Sequence, residues 1–129
     1  MNVLQKICQD DPRYDLEAYL FLREALEFTV QKCKKASKGP LRHVSGCELA
    51  DGFREYAVEQ FGPITFAVLA KWGIHCTEDI GAIVFNLVEA GELGKTDADK
   101  PEDFSNLYDF QEAFQKPFDI PIASQEQSI

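Results

Sequence analysis

Apolar residues recur at helical spacing along most of this chain, and strong stop signals divide them into segments. Val3, Leu4 and Ile7 predict a short first helix that Asp10-Asp11-Pro12 breaks. Asp15 then caps a long helix running to about Ala36. Ala18, Leu22, Ala25, Leu26, Thr29, Val30 and Cys33 share one face of it at i, i+3, i+4 and i+7 spacing. Tyr19, Phe21 and Phe28 broaden that face, so the helix is expected to meet neighbours on two sides. Lys32, Lys34 and Lys35 fall in its last turn, where positive charge complements the helix dipole. Ser37-Lys38-Gly39-Pro40 reads as a loop.

The segment from Ser45 to Phe61 is the best punctuated. Ser45 with Glu48 forms a capping box: the hydroxyl accepts the Glu48 amide and the carboxylate reaches back to the Ser45 amide. Gly62-Pro63 stops the helix, because Gly tolerates a left-handed turn and Pro cannot continue the ladder. Leu49, Phe53, Tyr56, Ala57 and Phe61 make its apolar face. Gly52 lies inside it at a cost of about 1 kcal/mol relative to Ala, and close approach of another helix is the simplest reason to keep it. Pro63 opens a further helix through Ile64, Phe66, Ala67, Leu69 and Ala70 to Trp72, with Gly73 as its stop. Thr77 is expected to cap the next, with Glu78 and Asp79 in its first turn and a stripe of Ile80, Ile83, Val84, Leu87 and Val88; Gly91 ends it.

Beyond Gly91 the pattern changes. Leu93-Gly94-Lys95-Thr96 and Leu107-Tyr108-Asp109-Phe110 read as two short strands flanking the acidic segment Asp97 to Asn106, and Leu41-Arg42-His43-Val44 as a third extended piece. Phe110 to Phe114 has room for a last helical turn, and Pro117, Pro121 and the residues after Ser124 look extended. The predicted fold is therefore mainly α with a small β element. A helical hairpin (1–40) packs on a winged helix-turn-helix-like second half (41–112), followed by an extended tail (113–129), all within one domain. The Trp72-Gly73-Ile74-His75-Cys76-Thr77 connection would be the turn of the helix-turn-helix. Such an order of elements assigns no job.

Charge narrows the choice. The 129 residues carry 22 acids against 13 bases, a formal net charge of −9, which on average repels nucleic acid and anionic membrane surfaces. The longest apolar runs fall short of a membrane span, and Met1 to Gln9 lacks the charged start and apolar run of a signal peptide. Cys8, Cys33, Cys47 and Cys76 show no CxxC pairing and read as free, buried thiols of a reducing compartment, so a cytoplasmic location is expected.

A winged helix that reads DNA presents Arg, Lys, Asn or Gln from its third helix. Here that helix, Thr77 to Gly91, has no Lys or Arg, and the segment in the place of a wing after it is acidic, which argues against DNA readout. One basic strip exists: Lys32, Lys34, Lys35, Lys38 and Arg42. It could serve an acidic partner or RNA, or simply be a solvated helix end, and the absence of interleaved aromatics for base stacking favours the latter. A metal site would have to draw on His43, Cys47, His75 and Cys76, which lack paired ligand spacing, so neither a metal nor a cofactor is expected. No nucleophile elbow, oxyanion loop or phosphate-cradling glycine motif occurs, and Glu55 and Glu59, one turn apart, read as solvent-facing. Arg54 pairs with Asp51 on helical spacing. The candidate binding surface is Arg42, His43, Arg54, Tyr56, Trp72 and His75, with Trp72 an interface anchor if it is exposed.

The segments Arg42-His43-Val44-Ser45-Gly46, Phe53-Arg54-Glu55-Tyr56-Ala57, Gln60-Phe61-Gly62-Pro63, Ile83 to Glu89, Tyr108-Asp109-Phe110 and Lys116-Pro117-Phe118 resemble an uncharacterised bacterial domain family, as do Asp11-Pro12-Arg13-Tyr14 and Tyr19-Leu20-Phe21. The resemblance spans nearly the whole chain. It implies a stand-alone cytoplasmic bacterial protein and brings no activity with it. Taken together, the sequence points to a non-enzymatic protein-interaction or adaptor module. The alternatives are a nucleic-acid-associated regulator acting through Lys32 to Arg42, and a small enzyme or metal protein using His43 and His75.

Overall fold

The computed structural model describes residues 2–36, 44–93 and 101–118. Helix α1 spans Val3–Asp10 and opens on a capping box absent from the sequence reading: Asn2 Oδ1 accepts the Gln5 amide (2.8 Å) and Gln5 Oε1 accepts the Asn2 amide (3.1 Å). Helix α2 spans Leu16–Ala36, and Asp15 before it accepts the Glu17 amide at 2.9 Å. Helix α3 covers Gly46–Phe61 behind the expected Ser45–Glu48 box, whose two bonds measure 3.1 and 3.0 Å. Gly62, at φ +54°, ends it and leads through a 3-10 turn (Gly62–Ile64) into α4, Thr65–Lys71. Helix α5 is Thr77–Glu89, α6 is Phe110–Phe114, and short 3-10 turns cover Pro101–Phe104 and Lys116–Phe118. The chain is mainly helical. None of its described helices is long and apolar enough to cross a membrane.

Helices α2 and α3 form the central pair, and Gly52 is where they meet. A Cβ at position 52 would lie 1.9 Å from Thr29 Oγ1 and 2.9 Å from Thr29 Cβ, so only a residue without a side chain fits this crossing. Thr29 is itself buried, its hydroxyl bonded back to the Ala25 carbonyl at 2.7 Å. Helix α5 fills the remaining side of the core with Ile80, Ile83, Val84 and Leu87. Apolar on most of its circumference, it reads as an interior helix rather than a surface one.

Four expectations need correction. Leu107 to Phe110 is not a strand: the Leu107 amide donates to Thr77 Oγ1 (3.1 Å), and Asp109 caps α6 by accepting the Glu112 amide (3.0 Å). Thr77 is not the cap of α5. Cys76 holds that position without a side-chain bond, and Thr77 is the buried first residue of the helix. The acidic segment before Asn106 does not read as a purely solvated wing, because Phe104 is 1% exposed. It sits in a notch between Gly46 and Gly81, where added Cβ atoms would come within 3.2 and 2.9 Å of it. Finally, the extended tail does not begin at 113. Ala113 belongs to α6, and Phe114 is fully buried against Phe110, ring centroids 4.8 Å apart. The proposed strand residues 41–43 and 94–96, and the rest of the tail from 119, lie outside the described residues.

Candidate functional site

Phe21 is the hub of an aromatic cluster laid along the seam of α2, α3 and the end of α4. It is buried, and its ring centre lies 5.4 Å from Phe53, 5.2 Å from Tyr56, 5.3 Å from Phe61 and 5.5 Å from Trp72. Phe28 extends the series through Tyr56 at 5.2 Å, and Phe61 meets Trp72 edge-on at 5.7 Å. Phe53 closes the floor. Phe28, Tyr56, Phe61 and Trp72 remain half-buried, and Phe21 joins the Phe28–Tyr56 pair to the Phe61–Trp72 pair, so the four make a band over the seam. The local sequence explains this placement. Phe21 and Phe28 are seven residues apart, two turns on one side of α2, about 10 Å along the axis. Tyr56 and Phe61 follow the rim of the α3 face whose centre is Phe53 and Ala57.

The predicted site residues do not converge. Tyr56 and Trp72 both belong to the band. Arg54 turns away to the other edge of α3, where its guanidinium donates to Asp51 at 2.9 Å. His75 lies exposed in the α4–α5 connection, and no hydrogen bond or ion pair links its imidazole to the band among the described residues. Arg42, His43 and Lys38 lie outside the described residues, as do the side chains of Lys34 and Lys35. Lys32, the described member of the basic strip, is spoken for: it pairs with Glu55 and lies 3.8 Å from Asp51. None of the four cysteines is in a disulfide; Cys47 is exposed and the other three are half-buried, not buried as expected. Among the described residues no group of three or more His, Cys, Asp or Glu is placed to hold a metal.

Two polar clusters escaped sequence reasoning. In the first, Asp79 organises the α4–α5 connection. Its carboxylate accepts the Tyr14 hydroxyl (2.6 Å), the His75 amide (2.9 Å) and the Cys76 thiol (3.4 Å). Gly73 belongs to the same junction: its φ is +93°, and a Cβ there would lie 2.2 Å from the Arg13 carbonyl. In the second, Asn86 donates to both Asp11 Oδ2 and the hydroxyl of the buried Tyr19, each at 3.0 Å. The Arg13 guanidinium donates to both Asp11 oxygens, Oδ1 at 2.8 Å and Oδ2 at 2.6 Å. This network borders an open hollow of about 460 Å³ between α1 and the end of α5, with Val3, Ile7 and Ala90 as its apolar lining. Helix α5 is thus pinned along its length to α1, α2 and the turn between them. Replacing Asp79 with Ala should cost about 1–3 kcal/mol, since the buried Tyr14 hydroxyl loses its acceptor; a urea unfolding curve reads it directly.

These contacts fix the pH limits. The Arg13 guanidinium, aided by Asn86, holds the Asp11 carboxyl well below the usual carboxylate range, against the opposing pull of burial. Its contribution is present above the unfolded value of about 4 and is lost as pH falls through the folded one. Burial pushes the Tyr14 phenol far up, with the Asp79 bond adding to it, and burial of its hydroxyl end against the Ala50 carbonyl (2.7 Å) does the same for Tyr108. Tyr19 and Tyr56 are also raised, chiefly by burial. The unfolded chain ionises its phenols near pH 10 while the folded chain keeps Tyr14 and Tyr108 neutral, so stability should fall as pH climbs above about that value. Absorbance at alkaline pH should show at least these two tyrosines failing to titrate at the ordinary midpoint until the protein unfolds; all four phenolates forming at that midpoint in the folded protein would contradict the burial of their hydroxyls.

The comparisons with known proteins add no relative: no protein-family model matches the chain, and neither does any curated protein or any solved structure.

Proposed function

We propose that this chain is a non-enzymatic protein-interaction module of the bacterial cytoplasm, and that it docks a protein partner on the aromatic band of Phe28, Tyr56, Phe61 and Trp72. The observation that carries the reading is the half-buried state of four large rings, Phe28 against Tyr56 and Phe61 against Trp72, the two pairs bridged beneath by the buried Phe21. Rings in a closed core lose their solvent face, whereas interface anchors keep it until a partner arrives. Aromatic residues, Trp and Tyr above all, dominate interface energetics because they bury large rigid areas at low entropic cost. The band is pre-formed on helices, so binding need not order it.

The helical order α3, α4, α5 supports reading the second half as a winged-helix-like scaffold turned to protein docking. Groove reading by α5 finds no support, since it has no Lys or Arg and its polar residues Asp79 and Asn86 are engaged with Tyr14, Asp11 and Tyr19. Isolation of bound proteins from the native cell tests the proposal. The wild-type chain should retain a defined partner that Trp72→Ala and Phe28→Ser both lose, with far-UV circular dichroism confirming that the variants are folded. A partner held equally well by both folded variants, or a clean monomer with no partner, overturns it.

A further inference from the structure

We infer that α1 is a lid hinged at Asp11-Pro12, which undocks from α2 as a unit and opens the hollow between itself and α5 while the rest of the fold stays closed. The argument is a contrast in how the chain is held on the two sides of that hinge. Before it, α1 packs on α2 through one narrow ridge, Leu4, Ile7 and Cys8, at i, i+3 and i+4. Ile7 is the one buried residue of the helix, and Val3 is 42% exposed. The backbone bonds of α1 stay within Asn2 to Asp11, and its side-chain bonds within the Asn2–Gln5 box. Among the described residues, no side chain of α1 makes a hydrogen bond or ion pair to the rest of the protein. The ridge has space on both flanks. Asn2, Val3, Lys6, Ile7 and Asp10 line the hollow of about 460 Å³ toward α5, and Cys8 borders a second, more open hollow of about 490 Å³ against Tyr14, Leu16 and Trp72.

Past the hinge the chain is tied down repeatedly. Asp11 accepts the Asn86 amide at 3.0 Å, the Tyr14 hydroxyl reaches Asp79 at 2.6 Å, and the Asp15 amide donates to the Trp72 carbonyl at 3.1 Å. Asp11 itself is extended (φ −135°, ψ 91°), the conformation that a following proline favours, so no continuous helix couples α1 to α2. A helix of eight residues does not persist alone in water, where roughly 12–15 are needed even for marginal stability. Once off α2, α1 therefore melts, and loss of its amide protection reports undocking. Undocking removes the wall made by Val3, Lys6 and Ile7 and leaves Asp11 and Asn86 facing solvent, so the position of α1 governs what reaches that polar wall.

The test is residue-resolved native-state hydrogen exchange on the full chain. The amides of Lys6 to Asp11 are the ones bonded within α1. Corrected for intrinsic rates, they should exchange at least about 100-fold faster than those of Ile83 to Leu87 in α5, and should share one protection factor within about threefold. Urea below the unfolding transition should hardly change them while accelerating the α5 amides, because sensitivity to urea scales with the surface an opening exposes. The Asp15 amide, bonded just past the hinge, should follow α5. Protection that climbs steadily from Lys6 to Asp11 is fraying of a chain end and overturns the lid. Protection equal to that of α5 with the same urea slope also overturns it, since α1 would then leave only when the whole fold opens. An Asp15 amide exchanging in step with Lys6 to Asp11 overturns the hinge at Asp11-Pro12.

Discussion

Phe104→Ala should destabilise the protein by about 3–5 kcal/mol, the range for truncating a fully buried Phe. The side chain is 1% exposed and meets α5 at Gly81, α3 at Gly46 and the ring of Phe85 at 6.3 Å. Gly46 and Gly81, which line the notch, have no side chains to move into the space it leaves. A solvated wing would give the opposite outcome, so the measurement is decisive about the nature of the 101–104 segment. Urea unfolding followed by circular dichroism should show the midpoint falling sharply for Phe104→Ala. It should move little for Glu102→Ala, which removes an exposed side chain from the same turn. A loss below about 1 kcal/mol for Phe104→Ala would contradict the packing described here.

Gly52→Ala should also destabilise, although helix propensity alone predicts a gain of about 1 kcal/mol. The new methyl would collide with Thr29 Oγ1 and lie only 2.9 and 3.0 Å from its Cβ and Cγ2. Thr29 cannot swing aside, being buried and bonded to the Ala25 carbonyl. Separation of α2 and α3 would cost several contacts at once, so a net loss of about 2 kcal/mol is expected, within the range of core overpacking. Thr29→Ala removes the hydroxyl and the methyl and should rescue part of that loss. The rescue stays partial because the Cβ at position 29 remains. A double-mutant cycle in thermal or urea unfolding should therefore give a double variant more stable than the sum of its singles. Strict additivity would mean the two helices do not meet there.

These two sites show which parts of the architecture the chain advertises. Gly52 was readable because a glycine inside an otherwise well-formed helix contradicts local propensity and asks for a packing reason. The Ser45–Glu48 box and the Gly62 stop were readable for a similar reason: their chemistry is local and complete within four residues. Phe104 was not. It is a single apolar residue in an acidic stretch, and a 3-10 turn of four residues offers no periodicity to detect. The only hint was indirect: Gly46 and Gly81 sit in helices with no local reason for either. Leu107 to Phe110 misled because apolar residues at both ends and a Tyr between them look like a strand, whereas its amide and carboxylate are used on Thr77 and on the start of α6.

The site was legible in fragments. Tyr56 and Trp72 stood out by residue type, but their joining depends on Phe21 and Phe61, which the spacing of α2 and α3 marks only as core. Arg54 and His75 were chosen on chemistry alone, and tertiary geometry sends one to Asp51 and leaves the other in a connection 19 residues further along the chain from Tyr56. The role of Asp79, three residues into α5, depends on a tyrosine 65 positions away, which no local pattern could supply.

The central claim is that the protein meets its partner through the half-buried rings. A photoreactive phenylalanine analogue placed at Phe28 or Phe61, compared with the same analogue at Phe118, an exposed aromatic in the last 3-10 turn, tests it most directly in the native cell. Covalent adducts to one partner are predicted at positions 28 and 61 and not at 118. Adducts confined to position 118, or none at the band while the protein is folded, would contradict it.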